Sequence, residues 1–284
     1  MTYESLLRLA YKKVAHKNKE EEAAKLLLME LSKLDPHEFY LSMKEDVDQD
    51  FISLYFDKLD QYLNFDIPIQ HVIGHSYFYG YEWIVNEDVL IPRPETEQLV
   101  EHIIFYFDRY YDSSKYRILD LGTGSGCIGL TLAKELSNVD IIASDISQKA
   151  LDVAKQNKQK LDVDATLILS DLFENITGKF SVIVSNPPYI PDEEHVDEIV
   201  KKEPHVALYG GKLGIEFYDR ILFQAKDYLE ERALIAFEHG YQQKQAIHDL
   251  AKTYYPQARV IQLKDLAGKD RFTFIGFGGI LSLE

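Results

Sequence analysis

The sequence predicts an α/β protein, a doubly wound and mostly parallel sheet preceded by a small helical bundle. Three observations predict it. From residue 116 onward, short apolar runs of strand length alternate with segments of helical spacing, the pattern of a parallel sheet with right-handed crossovers. The first of those runs is followed directly by Gly122-Thr123-Gly124-Ser125-Gly126 and then by a helical segment over 127–136. The opening residues instead show only helical apolar spacing, with Leu6, Leu7, Ala10 and Val14 on one stripe. The division that results is a helical bundle over 1–66, a linker or hairpin over 67–88, and the sheet domain over 89–284.

Within the first segment, helices are expected over 3–16 and 20–34. Asp35-Pro36 breaks the pattern, and shorter helices follow over 39–43 and 51–63. Their aromatic and leucine positions read as the core of the bundle. In the sheet domain, strand one covers 116–120 and ends at Asp120, strand two covers 139–144 and ends at Asp145, and strand three covers 165–170 and ends at Asp171-Leu172-Phe173. Strand four is 180–185 and runs into Asn186-Pro187-Pro188-Tyr189, strand five is 232–238, and 258–263 with 271–276 forms a closing hairpin.

Chemistry collects at the strand ends. A strand, a glycine loop and a helix N-terminus let a ligand approach backbone amides closely. The acidic Asp120 before the loop, and the absence of a Lys-Ser/Thr ending, favour a zwitterionic or cationic ligand over a polyphosphate. Asp145 either accepts the hydroxyl hydrogens of a ribose or caps the helix that begins near Ser147. Asp171 and Leu172 border a base, with core packing the other reading for Leu172 and the favoured one for Phe173. In Asn186-Pro187-Pro188-Tyr189 the prolines fix φ and remove two donors, leaving carbonyls without competing amides. The Asn186 side chain adds an acceptor, so a planar NH₂ group can be held by its hydrogens with Tyr189 against its face. In a doubly wound sheet the strand order reverses between the first and fourth strands, so the glycine loop and this turn should flank one crevice.

With these motifs the chain resembles the glutamine N5-methyltransferases that modify peptide-chain release factors, the HemK/PrmC family. Val89-Leu90-Ile91-Pro92-Arg93-Pro94-Glu95-Thr96-Glu97 is similar to the family's signature segment. Pro68-Ile69-Gln70-His71-Val72-Ile73-Gly74 and Phe78-Tyr79-Gly80 are similar to its lead-in hairpin. Glu203-Pro204, Ala207-Leu208, Gly210-Gly211 and Gly214 match its later loop, and Leu266-Ala267-Gly268-Lys269-Asp270-Arg271 matches the turn before its last strand.

The resemblance implies a Rossmann-like class I S-adenosylmethionine-dependent methyltransferase domain. The implied reaction is methyl transfer to the side-chain nitrogen of the glutamine in the Gly-Gly-Gln motif of class-1 release factors. It implies that Gly122, Thr123, Gly124, Ser125 and Gly126 hold the cofactor's methionine end, that Asp145 binds its ribose, that Asp171 and Leu172 border its adenine, and that Asn186 also belongs to the cofactor-binding set. It further implies that Asn186, Pro187, Pro188 and Tyr189 bind the substrate amide, with the Asn186 side-chain carbonyl and the Pro187 backbone carbonyl as acceptors, and that the helical bundle docks the release factor. Arg93, between two prolines, either covers the crevice or pairs with Glu95 or Glu97. Glu238 either serves the substrate pocket or caps a helix.

Composition narrows the classes. A formal net charge of −16 repels phosphate backbones, which weighs against the main rival, an adenine-N6 nucleic-acid methyltransferase that would place a flipped base's amine where the amide is expected. Two further rivals are a ribosomal-protein glutamine methyltransferase and a non-catalytic binding protein on the same fold. One cysteine leaves no internal disulfide, and no Cys/His cluster indicates a metal. No apolar stretch reaches the ~18 residues of a membrane span, and the N-terminus lacks a signal-peptide pattern. A cytoplasmic enzyme with a protein substrate, no membrane association and no direct nucleic-acid partner is expected.

Overall fold

The computed structural model describes residues 1–282, so the last two positions of the expected 89–284 domain lie outside the described residues. The described chain forms two compact units, one of Met1–His75 with Val196–Lys202 and one of Ser76–His195 with Glu203–Glu284.

The first unit is helical. Helices α1 (Tyr3–His16), α2 (Glu21–Ser32), α3 (Pro36–Leu41), α4 (Gln49–Phe65) and α5 (Ile69–Ile73) follow in order. Local chemistry sets their starts. Thr2 accepts from the Ser5 N–H at the head of α1, Asp48 does the same for the Phe51 N–H at α4, and Asp35 with Glu38 forms a capping box at α3 with Pro36 in the first turn. The stripe of Leu6, Leu7, Ala10 and Val14 is buried, and it packs with Leu27, Leu28, Phe39, Tyr55 and Leu59 into one core. Each fully buried leucine there contributes about 1.5–3 kcal/mol relative to exposure. Where the sequence indicated a linker or hairpin from residue 67, Ile69–Ile73 is a turn of helix whose Ile69 and Val72 join this core. Apolar spacing across five residues is too short a signal to separate helix from hairpin.

Next in the chain come the paired strands β1 (His75–Phe78) and β2 (Tyr81–Ile84). Then come α6 (Pro94–Tyr110), β3 (Tyr116–Leu121), α7 (Cys127–Glu135), β4 (Val139–Asp145), α8 (Gln148–Leu161), β5 (Thr166–Leu169) and β6 (Phe180–Ser185). The rest comprises α9 (His205–Leu208), α10 (Glu216–Ala225), β7 (Leu229–Glu238), α11 (Lys244–Tyr254), β8 (Arg259–Lys264) and β9 (Asp270–Gly276). Among the described residues the main sheet runs in the order β5-β4-β3-β6-β7-β9-β8. The first five strands of that order pair in parallel, whereas β9 pairs antiparallel with both β7 and β8. The central strand β6 is buried along its whole length, as a strand covered on both faces must be. Because β3 pairs with β4 on one side and β6 on the other, the order reverses there, and the carboxyl ends of β3 and β6 open a crevice between them.

Candidate active site

The glycine loop is built by backbone hydrogen bonds. The Gly122 and Thr123 N–H groups both donate to the Ser144 carbonyl, which ties the loop to the neighbouring strand β4. Gly122 and Gly124 take positive φ angles of 71° and 55°, and a Cβ added at either would meet nothing within 4 Å, so this backbone faces open space. Asp145 stands beside it at the end of β4. Its Oδ2 accepts from the Gly124 N–H at 2.8 Å and its Oδ1 from the Ser147 N–H at 2.9 Å. Burial raises its pKa, and the Ser147, Gly124 and Ile146 amides pull against that shift. The helix that follows is capped by Ser147, which accepts from the Ala150 N–H, and not by Asp145.

Asp120 behaves differently from its sequence reading. Its side chain is fully buried, and Oδ2 accepts from the Thr123 hydroxyl at 2.6 Å and from the Gly129 N–H at 2.9 Å. The carboxylate therefore braces the loop and the first turns of α7. Burial is the main cause that pushes its pKa up to about 6, with Asp145 adding to the rise. The neighbouring Cys127 thiol is pushed up to about 12, chiefly by burial and then by Asp120, so it stays protonated at neutral pH.

The Asn186-Pro187-Pro188-Tyr189 turn is held from behind by the loop that follows α9. The Ile190 N–H donates to the Leu208 carbonyl and the Gly210 N–H to the Ile190 carbonyl. A Cβ at Gly210 would lie 2.3 Å from the Pro188 oxygen, so only glycine allows this approach. Gln243 Nε2 donates to the Tyr189 carbonyl at 2.7 Å, which removes that carbonyl from the set of free acceptors.

A cavity of about 160 Å³ lies at these strand ends and opens to solvent. It brings together Gly122, Gly124, Asp145, Asp171, Leu172, Asn186, Pro187 and Pro188 from the sequence-expected set. It does not include Thr123, Ser125 and Gly126, which turn inward as part of the loop's support. Tyr189 lines a neighbouring cavity of about 470 Å³ together with Arg271, Gln243 and Tyr241. Asp171 is held by Arg220, whose Nη2 lies 2.9 Å from each of its carboxylate oxygens, and Arg220 and Phe217 line the same wall. Open glycine backbone, the two fixed carboxylates of Asp145 and Asp171, and an apolar slot at Val89, Ile146 and Leu172 suit a ligand with a polar tail, a sugar and a flat base. Val89 and Leu90 carried a motif signal, whereas Phe217 and Arg220 sit on an ordinary amphipathic helix and had none.

Arg93 and Glu238, each open to two readings in the sequence, find definite partners. Arg93 pairs with the buried carboxylate of Glu203, which also accepts from the Ile91 N–H at 2.9 Å. Glu95 and Glu97 are not its partners there, and Glu97 instead accepts from the Tyr79 N–H. The ion pair joins the signature segment to the later loop, a link between residues too far apart in sequence for local reading. Glu238 is 1% exposed and caps no helix; its Oε2 accepts from the Thr96 hydroxyl at 2.7 Å. Burial is the largest cause lifting its pKa to about 7, against the Thr96 hydrogen bond and Arg271. Among the described residues, no group of His, Cys, Asp and Glu could hold a metal ion, and no helix is long and apolar enough to cross a membrane.

A glycine loop after the first strand of a doubly wound sheet, facing an Asn-Pro-Pro-Tyr turn after the fourth, defines the class: a methyltransferase. Residues 99–233 match the model of the methyltransferase small domain, and residues 5–74 match that of the PrmC N-terminal domain. The chain is 36% identical over 262 residues to a release factor glutamine methyltransferase of Bacillus anthracis, covering 90% of this chain and 92% of that one. It is 37% identical over 272 residues to one from Bacillus subtilis (strain 168), covering 93% and 94%. A solved methyltransferase from Pyrococcus furiosus shares the fold, with a TM-score of 0.51 at 20% identity over 72% of this chain and 91% of that one. The chain belongs to the release factor glutamine methyltransferase family.

Proposed function

We propose that this chain methylates a glutamine side-chain nitrogen in the Gly-Gly-Gln motif of class-1 release factors, in the cytoplasm, with S-adenosylmethionine as methyl donor. The observation that carries the reading is the single crevice lined by Gly122, Gly124 and Asp145 on one side and by Asn186, Pro187 and Pro188 on the other. The loop of residues 122–126 holds the cofactor's methionine end, with Thr123, Ser125 and Gly126 acting as its frame. Asp145 accepts the ribose hydroxyls with the lone pairs that Gly124 and Ser147 leave free. Asp171, steadied by Arg220, and Leu172 border the adenine. The helical unit docks the release factor.

When bound, S-adenosylmethionine supplies a methyl group on a positively charged sulfur. An amide nitrogen is a weak nucleophile because its lone pair is shared with the carbonyl, so catalysis rests on positioning and on stabilising developing charge. Asn186 Oδ1 and the Pro187 carbonyl accept the two amide hydrogens and fix the nitrogen, and Pro188 and Tyr189 stiffen and wall the turn. As the nitrogen gained its methyl group, with the methyl–sulfur bond breaking to leave a neutral thioether, it would turn positive, which those acceptors favour, and would then give up one proton to water.

The test incubates the purified chain with S-adenosylmethionine and an unmodified class-1 release factor, followed by mass spectrometry of the Gly-Gly-Gln peptide. A methyl-sized mass gain on that glutamine is expected. Methylated adenine from nucleic acid assayed in parallel, with no gain on the peptide, would overturn the substrate while leaving the fold in place.

A further inference from the structure

We infer that Glu238 and Thr96 are positioning residues that fix the orientation of the Asn186 side-chain amide, so that it offers its carbonyl and not its NH₂ to the crevice. This inference rests on the glutamine-methylating reading of the site.

The placement of a few hydrogens decides the orientation. An ionised carboxylate only accepts, and a threonine hydroxyl has a single hydrogen to give. The Thr96 hydroxyl gives it to Glu238 Oε2 at 2.7 Å. Toward Asn186, Thr96 then shows only lone pairs, and Asn186 Nδ2 donates to Thr96 Oγ1 at 3.4 Å. The amide also faces the Glu238 carboxyl, a second acceptor. Both contacts select the NH₂ end, so Oδ1 is turned from Thr96 toward the crevice that Asn186 lines. The 3.4 Å contact is long, as catalytic hydrogen bonds often are before substrate binds.

A proton on Glu238 reverses the chain. The acid then donates to Thr96, the Thr96 hydroxyl is released to donate to Asn186 Oδ1, and the flipped amide presents NH₂ to a substrate that also presents NH₂. Donor would meet donor. The groups facing Glu238 come from several elements: Thr96 and Glu95 on α6, Arg271 on β9, Tyr218 on α10, Cys127 on α7, and Asn186 and Tyr189 in the turn. Arg271 favours the ionised form and Glu95 the protonated one, and burial lifts the pKa to about 7, where both forms are populated.

The test has one arm that needs no turnover. In the full chain labelled with ¹⁵N-asparagine, the Asn186 side-chain amide, assigned by its loss in Asn186→Ala, is followed across neutral pH by NMR. A single transition is expected in the wild type and none in Glu238→Gln. In the second arm, Thr96→Val is expected to lower kcat on the release-factor glutamine by roughly tenfold to a hundredfold, the scale of a small misplacement. Cofactor affinity by calorimetry should stay unchanged, and Thr96→Ser should restore the rate. The acidic limb of kcat should also vanish in Glu238→Gln. A static Asn186 amide in the wild type, wild-type kcat in Thr96→Val, or an acidic limb persisting in Glu238→Gln would each overturn the inference. A wild type that does not methylate the release factor would instead overturn the substrate reading, and the NMR arm would still decide the orientation.

Discussion

The two walls of the crevice are fixed by different kinds of bond. On the glycine-loop wall, backbone amides do the holding: Gly124 and Ser147 donate to Asp145, Gly129 donates to Asp120, and Gly122 and Thr123 donate to the Ser144 carbonyl. On the Asn186 wall the backbone of the turn is likewise tied by amides, but the Asn186 side chain itself is held by side chains, as Thr96, Glu238 and Asn186 meet across β7, α6 and the turn after β6. Backbone amides are removed only by proline and survive other substitutions. A wall of side chains is tunable and carries protons, which suits the side of the site proposed to orient the reacting nitrogen.

The sharpest break in that contrast is Asn186→Ala, on the side-chain wall. It is expected to lower kcat by about 10²–10³-fold, the scale for one lost group that stabilises developing charge, while calorimetry still detects cofactor binding. Near-wild-type turnover would remove Asn186 from the proposed machinery.

Stability offers the next test. Glu238 has its pKa raised from 4.5 to about 7 by burial, so its contribution to stability is complete below the unfolded value and is lost as pH rises through about 7. That loss is on the order of 3 kcal/mol. Denaturant titrations at several pH values should therefore show a flatter profile for Glu238→Gln than for the wild type over this window. Parallel profiles would mean that the carboxylate is not desolvated as its burial requires.

Asp145→Ala, on the backbone wall, should weaken cofactor affinity by roughly 1–3 kcal/mol, the scale of a lost charged hydrogen-bond partner, measured by calorimetry. Unchanged affinity would count against the ribose role. Smallest is Arg220→Ala. Its pair with Asp171 is substantially exposed, and losing it should change unfolding free energy by no more than ~1 kcal/mol. A larger loss would show that Arg220 is a structural member of the wall through its contact with Phe217.

The same contrast accounts for what could be read in advance. The glycine loop, Asp145 and the Asn186 turn were legible because each is a local pattern at the end of an apolar run, and the run's period places it at the same edge of the sheet. Asp120 was legible as an acid at the right strand end, but not its inward orientation, because the Gly129 donor that helps turn it becomes a neighbour only once α7 is formed. Arg220 left no signal, since an arginine on an amphipathic helix is usually just a solvated one.

The chain's periodicity and its turn residues by themselves determined an α/β sheet with a helical segment before it, and the strand ends at which chemistry would gather. These follow from interactions within a few residues, where propensity, capping and steric limits on φ act. The partners of Arg93 and Glu238 were decided only by the tertiary structure. Glu203 lies 110 positions from Arg93, and Thr96 lies 142 positions from Glu238. No local rule selects among the many carboxylates and hydroxyls of the chain. The packing of α6 against the sheet does so, because a buried carboxylate must find a donor and only the folded backbone determines which one is within reach.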